Sequence, residues 1–128
     1  RIVSPDLQMA GKTGTAQVRR ITSEERLTGV IRNEDLPWEK RDHALFVDYA
    51  PHDNPKVAVA VVVEHGGGGS STAAPIARDI TLFALTGQMP ELSHYPTGVK
   101  AQIKEEQEEL APKLLDWSTL DKKGQVQT

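Results

Sequence analysis

Lys12-Thr13-Gly14-Thr15 places an ammonium, a hydroxyl, a bare backbone position and a second hydroxyl in succession. On a strand, that run has a definite chemical use. The ammonium supplies fixed positive charge, and the hydroxyl can hydrogen-bond a substrate carboxylate. Gly14 lets a flat substrate lie against the strand, and the Thr15 N–H can point at a developing oxyanion. An ordinary exposed edge strand with a solvated lysine carries the same run. A phosphate loop does not fit, because the glycine required five residues before Gly11 is replaced by Asp6.

A second candidate is Gly66 to Gly69, between a strand pattern and a helix pattern. Such turns can hold phosphate on helix N–H groups. Dinucleotide spacing fails because position 71 is Ser71. A flexible turn beside the site is the simpler expectation. His43, His52, His65 and His94 show no metal-ligand spacing, and each reads as a surface or satisfied histidine. Glu105, Glu106, Glu108 and Glu109 read as a solvated helix face, and Arg19-Arg20 is too small for a nucleic-acid patch.

The elements that must position these residues follow from periodicity. Gly11 to Val18 suits a strand. Residues 19–42 form a polar loop, functional or mobile, that Ile21, Leu27, Val30, Ile31, Leu36 and Trp38 could tack down. His43 to Ala50 alternates as a strand, and Pro51 to Pro55 is turn chemistry. Val57 to Val63 is apolar throughout, which predicts a strand covered on both faces. Ser70, Ser71 and Thr72 are candidate caps of a helix with Pro75 in its first turn. Ile76, Ile80, Phe83 and Leu85 form its stripe beside Ala77 and Ala84, and Gly87 stops it. Val99 to Leu110 predicts a surface helix ended by Pro112. Leu114, Leu115 and Trp117 are expected to dock back, and the last eight residues to be disordered.

Composition bounds the answer. With 128 residues the chain suits one domain, and 15 Lys+Arg against 18 Asp+Glu argues against a nucleic-acid partner. Aromatics are 5%, so the core must be mostly aliphatic. There is no cysteine, hence no disulfide or thiolate metal site. Neither a metal nor a cofactor is expected. No apolar run is long enough to span a membrane. The chain begins at Arg1 rather than Met, so an excised piece of a longer chain is expected.

Several segments, in the correct order, resemble one family. Ala10-Gly11-Lys12-Thr13-Gly14-Thr15-Ala16-Gln17-Val18 resembles the KTG strand of penicillin-binding transpeptidases. Asp42 to Val47, Tyr49-Ala50-Pro51 and Asn54-Pro55 resemble their next hairpin. Val57 to Glu64, Gly66 to Gly69 and Ala73 to Ala77 resemble the following strand, loop and C-terminal helix. The class B branch of the family is the nearest in pattern. The resemblance covers roughly residues 1–90 and implies an α+β fold, an antiparallel sheet with a helix packed on it. Residues 91–128 read as a partly helical or disordered extension.

The family's reaction would be D,D-transpeptidation of peptidoglycan stem peptides. A serine in an SxxK motif attacks D-Ala-D-Ala, and β-lactams acylate the same serine. The resemblance implies that Lys12 stabilises charge and supports proton movement. Thr13, Gly14, Thr15 and Gln17 would line the substrate or β-lactam site, and Thr15 N–H would be half of the oxyanion hole. Ser4, Ser23, Ser70, Ser71, Ser93 and Ser118 lead to no lysine three residues on and no asparagine two on. The nucleophile is therefore expected upstream, and the segment alone is expected to be inactive. The resemblance implies a periplasmic site of action at the inner membrane, with the anchor upstream. The implied partners are a RodA-type glycosyltransferase and elongation scaffold proteins, and an unpaired strand edge could drive self-association. Two other readings remain open at this point: a non-catalytic assembly module of a diverged homologue, and a phosphate-binding α/β domain.

Overall fold

Alternation along β2 (His43–Ala50) organises the molecule in the computed structural model, which describes residues 1–113. Ala44, Phe46, Asp48 and Ala50 are buried, while Val47 and Tyr49 face outward. β2 is the middle strand of an antiparallel sheet in the order β1-β2-β3, with β1 spanning Ala10–Ala16 and β3 spanning Val57–Val63. Helix α2 (Ala74–Thr86) packs on β2 and β3, giving the expected α+β arrangement.

The core between helix and sheet is small-on-large. Ala44, Phe46, Ala73 and Ala77 are buried together, with Met9, Val59, Val61 and Val63 around them. Alanines on α2 let it approach the sheet closely, which accounts for the low aromatic content. The expected stripe of Ile76, Ile80, Phe83 and Leu85 is corrected: Ile76 and Ile80 are exposed. The buried face is Ala77, Arg78, Thr81 and Leu82. Only small residues fit over Phe46, and Arg78 is covered because its guanidinium lies 4.7 Å from the Tyr95 ring centre. Gly87 ends α2 as expected, at φ +69° in the left-handed region, its N–H donating to Phe83 O at 2.8 Å.

Three more expectations change. β1 ends at Ala16, because the Val18 N–H leaves the ladder for Asp42 Oδ1 at 3.2 Å. β3 is not covered on both faces: its residues alternate between half-buried and exposed, and Val62 is 63% exposed. Helix α2 covers only one side of the sheet. The proposed helix caps do not cap. Gly69–Ala73 is a π-helical turn ahead of α2, and its hydroxyls donate backward, Thr72 Oγ1 to Gly66 O at 2.8 Å and Ser71 Oγ to Gly68 O at 3.3 Å.

The first compact unit runs to Pro96, past the break expected at residue 90. Val3 N–H donates to His94 O at 2.9 Å, Ser4 Oγ and His94 Nδ1 lie 2.7 Å apart, and Tyr95 is buried. In the second unit, α3 (Lys100–Leu110) matches the expected surface helix and carries an exposed Lys104–Glu108 pair at 3.8 Å. Leu114, Leu115, Trp117 and the last eight residues lie outside the described residues.

Candidate functional site

β1 is an edge strand: β2 pairs with it on one side, and no other described strand pairs with it. Register divides its side chains. Thr13 sits opposite Phe46 and Thr15 opposite Ala44, on the face that α2 covers. Lys12 sits opposite Val47 and Gly14 opposite Leu45, on the open face. Lysine and hydroxyls therefore meet only at the free edge. There Lys12 Nζ donates to Thr13 O at 2.9 Å and is exposed to solvent. A side chain at Gly14 would make only ordinary contact, with Leu45 Cβ at 3.4 Å. The described residues themselves leave room at this position.

The glycine loop lies directly against this strand. A Cβ on Gly69 would fall 2.6 Å from Leu45 O, 2.8 Å from Gly14 O and 3.1 Å from Thr13 Cβ. The loop is thus more than a flexible turn: it is a close-packed backing for the Lys12–Thr15 run. A cleft of about 340 Å³ opens beside it, lined in part by Thr13, Ser70, Phe46 and Arg78. The run of four glycines announced close approach somewhere in the loop but could not single out Gly69.

Gln17, grouped with the site from the sequence, lies past the end of β1. It lines a separate cleft of about 280 Å³ with Arg19, Asn33 and Asp42. Behind that cleft the 17–42 connection is ordered chiefly by polar knots; of the apolar residues expected to tack it down, Ile21 and Leu36 are half-buried and Trp38 packs on His65. Leu27 is 89% exposed, and Val30, Ile31 and Trp38 are also exposed. Instead, helix α1 (Ser23–Thr28) opens on a capping box. Thr22 Oγ1 accepts from Glu25 N–H at 3.2 Å, and Glu25 Oε2 accepts from Thr22 N–H at 3.1 Å. The Arg19 guanidinium grips the same carboxylate at 2.6 and 2.9 Å. That bidentate contact, reinforced by the Thr22 N–H, holds the Glu25 carboxyl well below the usual range and raises Arg19. Asp42 makes the second knot, accepting from Val18 N–H and Asn33 Nδ2, while its own N–H donates to Asn33 Oδ1 at 2.8 Å.

Two histidines with no spacing signature meet in space. His65, at φ +52°, has its ring centre 4.6 Å from His43 and 4.4 Å from Trp38. His43 Nδ1 accepts from His65 N–H, and His65 Nδ1 donates to Arg41 O, both at 2.9 Å. Each ring is thus held by a hydrogen bond at its Nδ1. Among the described residues no cluster of three or more His, Asp or Glu could hold a metal.

The site is thus the outer edge of a sheet strand, with a lysine on one face, hydroxyls on the other and a glycine loop behind. A family model, the penicillin binding protein transpeptidase domain, matches residues 2–82, and the chain belongs to that family. Within it, the chain is 40% identical over 105 residues to peptidoglycan D,D-transpeptidase MrdA of Haemophilus influenzae, covering 80% of this chain and 16% of that protein. It is 42% identical over 78 residues to MrdA of Acinetobacter baumannii, covering 59% and 11%. Among solved structures, a complex between penicillin-binding protein PBP2 and MreC from Helicobacter pylori matches 62% of this chain and 12% of that one, at 31% identity and TM-score 0.43. The chain therefore spans less than a fifth of each of these relatives.

Proposed function

We propose that this chain is the KTG-bearing portion of a penicillin-binding protein 2-type serine D,D-transpeptidase acting in cell elongation. The observation that carries the reading is the 40% identity to a peptidoglycan D,D-transpeptidase over 80% of the chain. The edge position of Lys12–Thr15 supports it. In the complete protein, a serine supplied by another segment attacks the penultimate D-Ala carbonyl of a stem peptide. Its proton passes to a neighbouring base, and D-alanine leaves. An amine of a second stem then takes the acyl group and restores the serine.

Lys12 provides positive charge at the serine's surroundings. Thr13 and Thr15 hydroxyls bind the substrate carboxylate, Gly14 gives clearance, and Thr15 N–H stabilises the oxyanion. β-Lactams enter as substrate mimics and stay on the serine. The protein works at the periplasmic face of the inner membrane, with a RodA-type glycosyltransferase and elongation scaffold proteins.

Fluorescent-penicillin labelling of the full-length protein and of residues 1–128 alone tests the proposal. Labelling of the full-length protein only is the expected result. No labelling of the folded full-length protein would contradict the proposal, and labelling of the isolated chain would contradict an upstream nucleophile.

A further inference from the structure

We infer that Gly69 is a positioning residue for the oxyanion hole: its missing side chain lets the glycine loop set the tilt of the Gly14–Thr15 peptide. The inference rests on the transpeptidase reading above. Gly14 C=O and Thr15 N–H belong to one planar trans peptide and point in opposite directions. Whatever presses on the carbonyl therefore re-aims the N–H. In this structure the backbone at Gly69 stands behind that carbonyl. A single added carbon would sit 2.8 Å from Gly14 O and 2.6 Å from Leu45 O. Both are backbone oxygens on paired strands, Gly14 opposite Leu45, so neither can swing aside as a flexible side chain would. The third neighbour, Thr13 Cβ at 3.1 Å, belongs to the adjacent residue of the same run.

The loop has its own fixings, so it acts as a stop. Thr72 Oγ1 donates to Gly66 O at 2.8 Å, Thr72 N–H to Gly68 O at 3.0 Å, and Gly67 N–H to Asp42 O at 2.9 Å. Gly69 has no positive φ to explain the choice of glycine, so room against β1 is what it provides. The neighbouring glycines differ. A Cβ at Gly68 would meet only Ser71, with Oγ at 2.7 Å, the end of a side chain that can rotate, and Cβ at 3.9 Å. At Gly66 it would meet Val63 and Ala44 side chains, at 2.9 to 3.2 Å, and no β1 atom among its three nearest neighbours.

The test uses the full-length protein and stopped-flow acylation by a chromogenic β-lactam, which separates the acylation rate constant from the dissociation constant of the preceding complex. Gly69→Ala should lower the rate constant about tenfold or more, since losing an oxyanion donor outright costs about a hundredfold. Gly68→Ala should stay within about twofold of wild type. Gly66→Ala should lower the melting temperature without changing the rate constant of the folded fraction, which is what a merely structural glycine does. Thr72→Val loosens the loop without crowding it and should produce a smaller fall in the same constant. If Gly69→Ala does not fold, Thr72→Val decides. A wild-type acylation rate constant in folded Gly69→Ala, or in Thr72→Val where it alone can be measured, overturns the inference. Failure of the wild-type full-length protein to acylate would instead overturn the transpeptidase reading beneath it.

Discussion

Asp48 shows what a single residue costs and supplies. It lies on the helix-facing side of β2, 5% exposed, where Thr81 Oγ1 donates to Oδ1 at 2.7 Å and Oδ2 has no partner among the described residues. Burial pushes its carboxyl above the usual range, and the Thr81 bond offsets this in part. A raised acid favours folding fully only below its unfolded value. That contribution is lost as pH rises through the folded value. Asp48→Asn keeps an acceptor for Thr81 and removes the ionisable group. We expect it to flatten the fall of stability with rising pH above the ordinary aspartate range, measured by denaturant unfolding from acid to neutral pH. Stability unchanged at every pH would contradict the account. Glu25 behaves oppositely. Its depressed carboxyl contributes stability in full above the unfolded value and loses it progressively as pH falls below that value and through the folded one.

At the level of elements, the 17–42 connection stays ordered through its knots. Thr22→Ala removes one arm of the capping box, and Glu25→Gln weakens the grip of Arg19. Both should speed hydrogen exchange at the Glu25 and Ile31 amides while leaving β2 amides protected; uniform protection throughout would argue that other contacts hold the segment. Much of the element order was legible in sequence, for reasons visible in particular residues. The alternation from Ala44 to Ala50 marked a half-buried strand, and Gly87 marked a helix end. The capping box was written in Thr22 and Glu25 but hidden by the polarity of the whole stretch. The α2 stripe was misplaced because burial over Phe46 selects alanine, and the exposed Ile76 and Ile80 outweigh alanine in any hydrophobic pattern. At the candidate site, Lys12 to Thr15 could be picked out as a run, but its division between two faces needed the register. Gly69 needed the three-dimensional approach of a loop to a strand.

For the whole molecule, β3 is the sheet's other edge: among described residues no strand pairs with its outer side, and Val62 adds an exposed apolar side chain nearby. Such an edge is a template for another strand. The isolated chain is therefore expected to associate with itself as concentration rises, read by sedimentation velocity. A monomer across a wide concentration range would contradict this.

If β1 is the charged wall of a serine acyl-transfer site, as proposed, Lys12 is its most direct probe. In the full-length protein, β-lactam acylation rates of wild type, Lys12→Ala and the surface variant Lys104→Ala should be compared. We expect Lys104→Ala to match wild type and Lys12→Ala to be slower by about a hundredfold or more with its fold intact. Equal acylation by folded Lys12→Ala would contradict the account.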